Sequence, residues 1–253
     1  MIDSLLPAGI GWPAALGLMG ASFCTSLMTA AFGIGGGAIL LGILATLLPP
    51  AALIPVHGLV QLGSNAGRAI MLRAEIARSV LLPFLLGSVI GIALGGMLVI
   101  QLPPAGVQIG VGAFILWTVV AQPPAFLRRS AWLAGGASSF LTMFFGATGP
   151  FVAAYVRTLG FGRLVYVGTN AACMTAQHLL KVIAFGLLGF AFSEYLTLTA
   201  GMIGFGFLGT LTGGRVLTRI DERRFGIVLN AILVVLAARL IWEGASELAG
   251  GGT

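Results

Sequence analysis

The residues able to do chemistry fall into two stripes, each set in otherwise apolar sequence. His57, Gln61, Ser64, Asn65 and Arg68 follow at i, i+4, i+7, i+8 and i+11; Asn170, Cys173, Gln177, His178 and Lys181 follow at i, i+3, i+7, i+8 and i+11, with Thr169 beside them. That spacing puts each set on one helix face. Both stripes end in a base. No Asp or Glu lies inside an apolar run: Glu75, Glu194, Asp221, Glu222, Glu243 and Glu247 all fall at run ends or in connections. A cation pathway calls for buried carboxylates as counter-charge or proton relay. Unpaired bases at depth point instead to an anionic ligand, with the amides as N–H donors and the two histidines as groups able to titrate near neutral pH. A lone Asn or Gln here is ordinarily a helix-to-helix hydrogen bond worth about 1 kcal/mol or less, and Arg68 is near enough its run's end to reach the surface. Lys181 lies deep in its run, where a charge costs at least ~2.5–3.5 kcal/mol.

The elements that position these stripes must be membrane helices. The 253 residues are 58% hydrophobic and only 8% charged, with a mean hydropathy of +1.07, whereas a soluble domain carries roughly a quarter charged residues. Apolar runs fall at 12–32, 36–48, 54–73, 79–100, 105–121, 130–146, 149–159, 164–190, 194–217 and 224–243. Most approach the ~20 residues of a spanning helix, and no stretch is left for a separate soluble domain. The net charge of +6 is spread over short connections and forms no basic face for nucleic acid. Cys24 and Cys173 lack metal or CxxC spacing, and no HExxH, GxSxG or nucleotide loop is present, so neither a cofactor nor an intramembrane enzyme is expected. Asp3 stands where a signal peptide would be positive. Trp12, Trp117, Trp132 and Trp242 read as interfacial anchors.

Two runs are short, 36–48 and 149–159, and each is the second of five after a glycine-rich break. Gly33-Ile34-Gly35-Gly36-Gly37 aligns with Gly146-Ala147-Thr148-Gly149-Pro150 at an offset of 113 (146 − 33), where Asn65 also meets His178, Arg68 meets Lys181 and His57 meets Asn170. The expectation is an all-α polytopic protein of two five-element repeats, 1–125 and 126–253, in one membrane domain. Bases flank alternate connections (Arg73 and Arg78; Arg128 and Arg129; Arg157 and Arg163; Arg219, Arg223 and Arg224) and are missing near 49–53, 101–104, 147–148 and 191–194. The positive-inside rule then puts the arginine loops in the cytoplasm and both termini outside. Ten reversals of direction, five per half, make the halves inverted; re-entrant short elements would instead put the arginine loops on alternating sides. Inverted repeats with glycine-broken short helices point to a secondary transporter whose site lies at the repeat interface. Helices starting near Gly36 and Pro150 would aim free N–H groups at that interior. Gly87, Gly91 and Gly95, with Gly209 and Gly213, read as packing faces.

The segments Ala31 to Gly37, His57 to Arg68, Phe144 to Pro150 and Gly209 to Arg215 together resemble the TauE/SafE sulfite exporter family over nearly the whole chain. The resemblance implies a multi-pass protein of the bacterial inner membrane that moves sulfite or an organosulfonate. The glycine segments of the family would correspond to Gly33–Gly37 and Gly146–Pro150, the second depleted by Thr148 and Pro150. The residues expected to meet a small anionic substrate are Gly35, Gly36, Gly37, His57, Gln61, Asn65, Arg68, Thr148, Gly149, Asn170, Gln177, His178 and Lys181. An anion-selective channel or passive facilitator on the same scaffold is the alternative. The sequence carries no signal for the oligomeric state.

Overall fold

The computed structural model describes residues 6–32, 35–99, 103–122, 124–216 and 222–250, without the side chains of 32, 104, 214–216, 222–225 and 250. Gly33, Ile34, Arg219 and Asp221, with the side chains of Arg215, Glu222, Arg223 and Arg224, therefore lie outside the described residues. Ten α-helices and no strand are present among those described: α1 (Trp12–Phe32), α2 (Gly36–Leu44), α3 (Pro50–Met71), α4 (Arg78–Val99), α5 (Pro104–Val120), α6 (Ala131–Phe145), α7 (Gly149–Thr158), α8 (Arg163–Leu187), α9 (Leu196–Val216) and α10 (Glu222–Gly250). The protein is a multi-pass membrane protein. Segments 12–31 and 78–99, with 192–213 and 226–249, are long and apolar enough to cross a bilayer. Helices α3 and α8 have the length, but their polar stripes dilute the hydropathy, and they sit at the centre of the bundle.

The two short helices stop halfway. Nine residues in α2 and ten in α7 rise only about 14–15 Å, half of the ~30 Å hydrocarbon layer. Their starting points are inside the bundle. Gly35 (φ 101°) precedes α2 and Gly146 (φ 73°) ends α6, a backbone region that only glycine enters without penalty. Gly36 is packed so tightly on α1 that a Cβ there would fall on the Thr25 carbonyl and the Thr29 hydroxyl. At the far end of α7 the Thr158 hydroxyl donates to the Arg128 carbonyl, just before α6, at 3.3 Å. So α7 runs back along α6. The connection at 147–148, expected at the base-free surface, is instead a turn in the protein interior, because α6 ends before crossing.

The three arginine connections among the described residues gather at one end. The Arg163 guanidinium donates to the Ala31 carbonyl (3.1 Å), and the Ala77 N–H donates to Thr169 Oγ1 (3.0 Å). The Arg157 guanidinium lies 5.8 Å over the Tyr166 ring. Arg239, a base within α10 that the charge pattern passed over, is held by Glu243 at 2.7 Å one turn on.

The most extensive helix contacts join α4 to α6, α1 to α9, α5 to α10 and α3 to α8. Exchanging each helix for the one five places away swaps the first two pairs and maps the other two onto themselves. The first two are close crossings made by glycine. A Cβ at Gly91 would land on the Gly136 carbonyl of α6, and one at Gly209 on the Phe23 carbonyl of α1. Behind α7, Phe114 stacks on Phe145 (4.7 Å) and Phe151 (5.7 Å), and Trp117 stacks on Phe151 at 5.3 Å. Trp117, expected as an anchor, is therefore a packing residue that fixes the half-helix from behind.

The crossings make a test. Gly209→Ala should lower the melting temperature of the detergent-solubilised protein by several degrees, from about 1–3 kcal/mol of overpacking. Gly204→Ala on the same helix, with no atom within 4 Å of its new methyl, should leave it unchanged. Equal melting temperatures for the two variants would remove the close-crossing account.

Candidate functional site

Helices α3 and α8 face each other in antiparallel fashion: Gly58 packs on Lys181, while Gly168 packs on Leu72. Their polar faces meet the starts of α2 and α7 around a cavity of about 60 Å³. His57, Gln61 and Asn65 line it from α3, and Asn170, Met174 and His178 from α8. These triplets share the i, i+4, i+8 spacing and the offset of 113. Gly35, Gly37 and Ala38 close one side, Gly146, Ala147, Gly149 and Pro150 the other, and Thr29 of α1 completes the wall.

The helix starts supply backbone donors. In α2 the N–H groups of Ala38 and Ile39 both return to the Gly35 carbonyl, at 3.1 and 3.3 Å. Those of Gly36 and Gly37 have no partner among the described residues. In α7 the Phe151 N–H bonds the Thr148 carbonyl (3.0 Å), which leaves Gly149 as the free donor because Pro150 has none. Two positive helix ends thus face one small space.

The side chains fix their own orientation. His57 Nε2 lies 2.9 Å from the Gly37 carbonyl, which can only accept, so Nε2 carries the proton. Gln61 Nε2, 3.3 Å from the same atom, is then a neighbour rather than a donor to it. Asn65 Nδ2 donates to the Gln61 carbonyl at 2.8 Å. The two imidazoles meet edge to face, 6.1 Å apart at 82°. Three buried polar atoms of these lining residues have no partner among the described residues: His57 Nδ1, His178 Nδ1 and Asn170 Oδ1. An unmet polar atom at such depth costs about 1–3 kcal/mol; His57 Nδ1 and Asn170 Oδ1 are acceptors, so a ligand that brings a proton recovers that cost.

Eight of the thirteen expected residues line this cavity: Gly35, Gly37, His57, Gln61, Asn65, Gly149, Asn170 and His178. The other five stand behind it. Gly36 faces α1. Gln177 Nε2 donates to Thr148 Oγ1 (2.6 Å) and its Oε1 accepts from Ser138 (3.1 Å), which ties the residue before α7 to α6 and α8. Lys181, fully buried, donates to Thr142 Oγ1 at 3.2 Å, and that hydroxyl donates to the Gly146 carbonyl at 2.9 Å. Arg68 Nη1 donates to Asn65 Oδ1 (3.3 Å) and Nη2 to Ser64 Oγ (3.4 Å). Lys181 and Arg68 therefore act on the lining through a neighbour.

No acidic side chain lines the cavity. One turn beyond it stand the two cations, Arg68 after Asn65 on the basic side and Lys181 after His178 on the other, since the helices are antiparallel. Past Lys181 an apolar cavity of about 330 Å³ opens between Pro50, Ile54, Val99, Met143, Phe185 and Phe190. Leu41 and Ile54 pack on Gly146 of the central cavity, and Ile54 also lines this apolar one.

The expected set missed Thr29, Ala38, Gly146, Ala147, Pro150 and Met174. Met174 stands 113 residues after Gln61, so the offset alone would have found it. Thr29 ends a weaker stripe of hydroxyls, Ser22, Thr25 and Ser26, the last two of which recur with it as Ser138, Ser139 and Thr142 at the same offset.

The sequence model of the sulfite exporter TauE/SafE family matches residues 18–240, a span that includes every residue lining the cavity. No curated protein sequence and no solved structure matches the chain. With nearly its whole length matched, from the first helix to the tenth, the chain belongs to the sulfite exporter TauE/SafE family.

Proposed function

We propose that the protein is a secondary transporter that carries a small oxyanion, sulfite before any larger organosulfonate, across the bacterial inner membrane by alternating access. The observation that carries this reading is the central cavity, enclosed by two half-helix starts, amide donors and imidazoles, with no carboxylate in its wall. Its 60 Å³ has room for about four to six water-sized groups at roughly 10–15 Å³ each. Sulfite, one sulfur with its oxygens, fits; a sulfonate with a carbon chain requires the walls to part. The matched helix pairings support two repeats, and the reversals at the half-helices support their inversion. The basic end is then cytoplasmic and both termini lie outside.

Neutral donors and flanking cations suit a ligand that must also leave. In the central cavity Arg68 and Lys181 lend their field from one turn away. Neutral His57 presents Nδ1 as an acceptor, which welcomes a proton arriving with the anion, on the imidazole or on the anion itself. His57 and His178 thereby couple anion to proton movement. Leu41 and Ile54 over Gly146 form the barrier on the far side, and this closed wall favours a carrier over an open anion channel.

Three outcomes are expected. Labelled sulfite should enter proteoliposomes saturably and faster when unlabelled sulfite is loaded inside; uptake without such trans-stimulation points to the channel. Gly37→Ala puts a methyl on the Gln61 amide, whereas the methyl of Gly149→Ala meets nothing nearer than Met174 Cε at 3.8 Å. The first should cut flux by roughly tenfold or more, about 1.4 kcal/mol, and the second far less; the reverse order would move the binding position. Finally, replacing both His57 and His178 by Gln should flatten the pH dependence of flux, and an unchanged profile would end the proton-coupling reading.

A further inference from the structure

A second cavity, of about 280 Å³, follows the central one toward the basic end. Ala30, Arg68, Met71, Arg163, Leu164 and Thr210 are among its lining, and no carboxylate is. The two spaces are consecutive: Thr29 and Asn65 line the first, and Ala30 and Arg68 the second. Arg68 is only 4% exposed. Its terminal nitrogens reach just two neutral oxygens, at the long distances of 3.3 and 3.4 Å, and its Nε has no partner among the described residues. A guanidinium withdrawn from water, weakly bonded and with a donor unused, is a fork prepared for an oxyanion. Arg163 brings a second charge at the exposed start of α8, braced by its bond to the Ala31 carbonyl. Met71 and Leu164 make part of the wall apolar.

We infer that this cavity is a second anion site, a vestibule in which Arg163 and Arg68 collect the oxyanion at the basic face before it enters the central cavity. The inference rests on the function proposed above, since the ligand is the same transported anion. Passage from one site to the other runs through Asn65. An anion that takes the fork of Arg68 competes for the Nη1 that holds Asn65 Oδ1, and the amide is then held only through its Nδ2 bond to the Gln61 carbonyl. The vestibule is several times larger than the central space, so it collects sulfite and small sulfonates alike, and selection follows one step later.

The test uses labelled sulfite on the full chain, in wild type, Arg163→Glu, Arg163→Lys and Asn170→Ala. Purified wild-type protein should bind two sulfites, and Arg163→Glu and Asn170→Ala one each. In proteoliposome flux, Arg163→Glu should raise KM roughly tenfold at low salt with kcat unchanged, and Arg163→Lys should restore KM. The KM difference should close as salt rises from about 0.01 to 1 M and the screening length falls from about 30 to 3 Å. A single bound sulfite in wild type, unaffected by Arg163→Glu while flux persists, overturns the vestibule and leaves the transporter standing. A KM shift undiminished at high salt would mean loss of the Arg163 brace rather than of its charge, and overturns it as well. Wild-type protein that neither binds nor moves sulfite overturns both readings together.

Discussion

A helix can begin in the middle of a membrane only if something there deals with its first N–H groups. Water does this at a surface; hydrocarbon does not, and an unmet backbone donor costs several kcal/mol in lipid. Helices α2 and α7 both begin in this position, and the rest of the bundle is arranged around that constraint. The long apolar helices keep lipid away. The glycine crossings of α4 on α6 and α1 on α9 bring the walls close enough to seal the interior. Only α3 and α8, whose polar faces turn inward onto each other, can then carry amides and imidazoles without meeting lipid.

The placement of charge follows the same logic. Arg68 and Lys181 are among the most buried cations in the protein, and no carboxylate offsets either one among the described residues. Each is separated from the central space by a hydrogen-bonded intermediary, Asn65 for one and the Thr142–Gly146 pair for the other. A cation thus stands on either side of the central space, while the innermost contacts remain neutral dipoles.

Much of this was legible in the sequence because it rests on composition and on one offset. Apolar runs located the helices to within about four residues, except that α10 runs seven residues past its apolar run, and glycine breaks marked both half-helices. The i, i+4, i+8 spacing picked out His57, Gln61, Asn65, Asn170 and His178, all of which line the cavity. Depth was not legible. Nothing in periodicity distinguishes a side chain that ends in a cavity from one that stops at a hydroxyl beside it, so Gln177 and Lys181 looked like Asn170 and His178. Nor could run lengths show that the 147–148 turn stays inside, since that depends on where α6 stops relative to its neighbours. The hydroxyl stripe of α1 and α6 escaped because Ser and Thr are routine in membrane helices, where they bond their own backbone, as Thr25 and Thr29 do here.

The two triplets around the cavity differ at every related pair, but His57 against Asn170 and Asn65 against His178 keep polar for polar, whereas Gln61 is matched by Met174. In a carrier built of two identical halves, the states open to either side would be mirror equivalents of equal free energy. A thioether opposite an amide removes that degeneracy. In the proposed carrier, wetting the Gln61 side is cheaper than wetting the Met174 side, which favours one resting side before any gradient acts. This amide-for-thioether pair would then bias the compartment to which the unloaded protein opens.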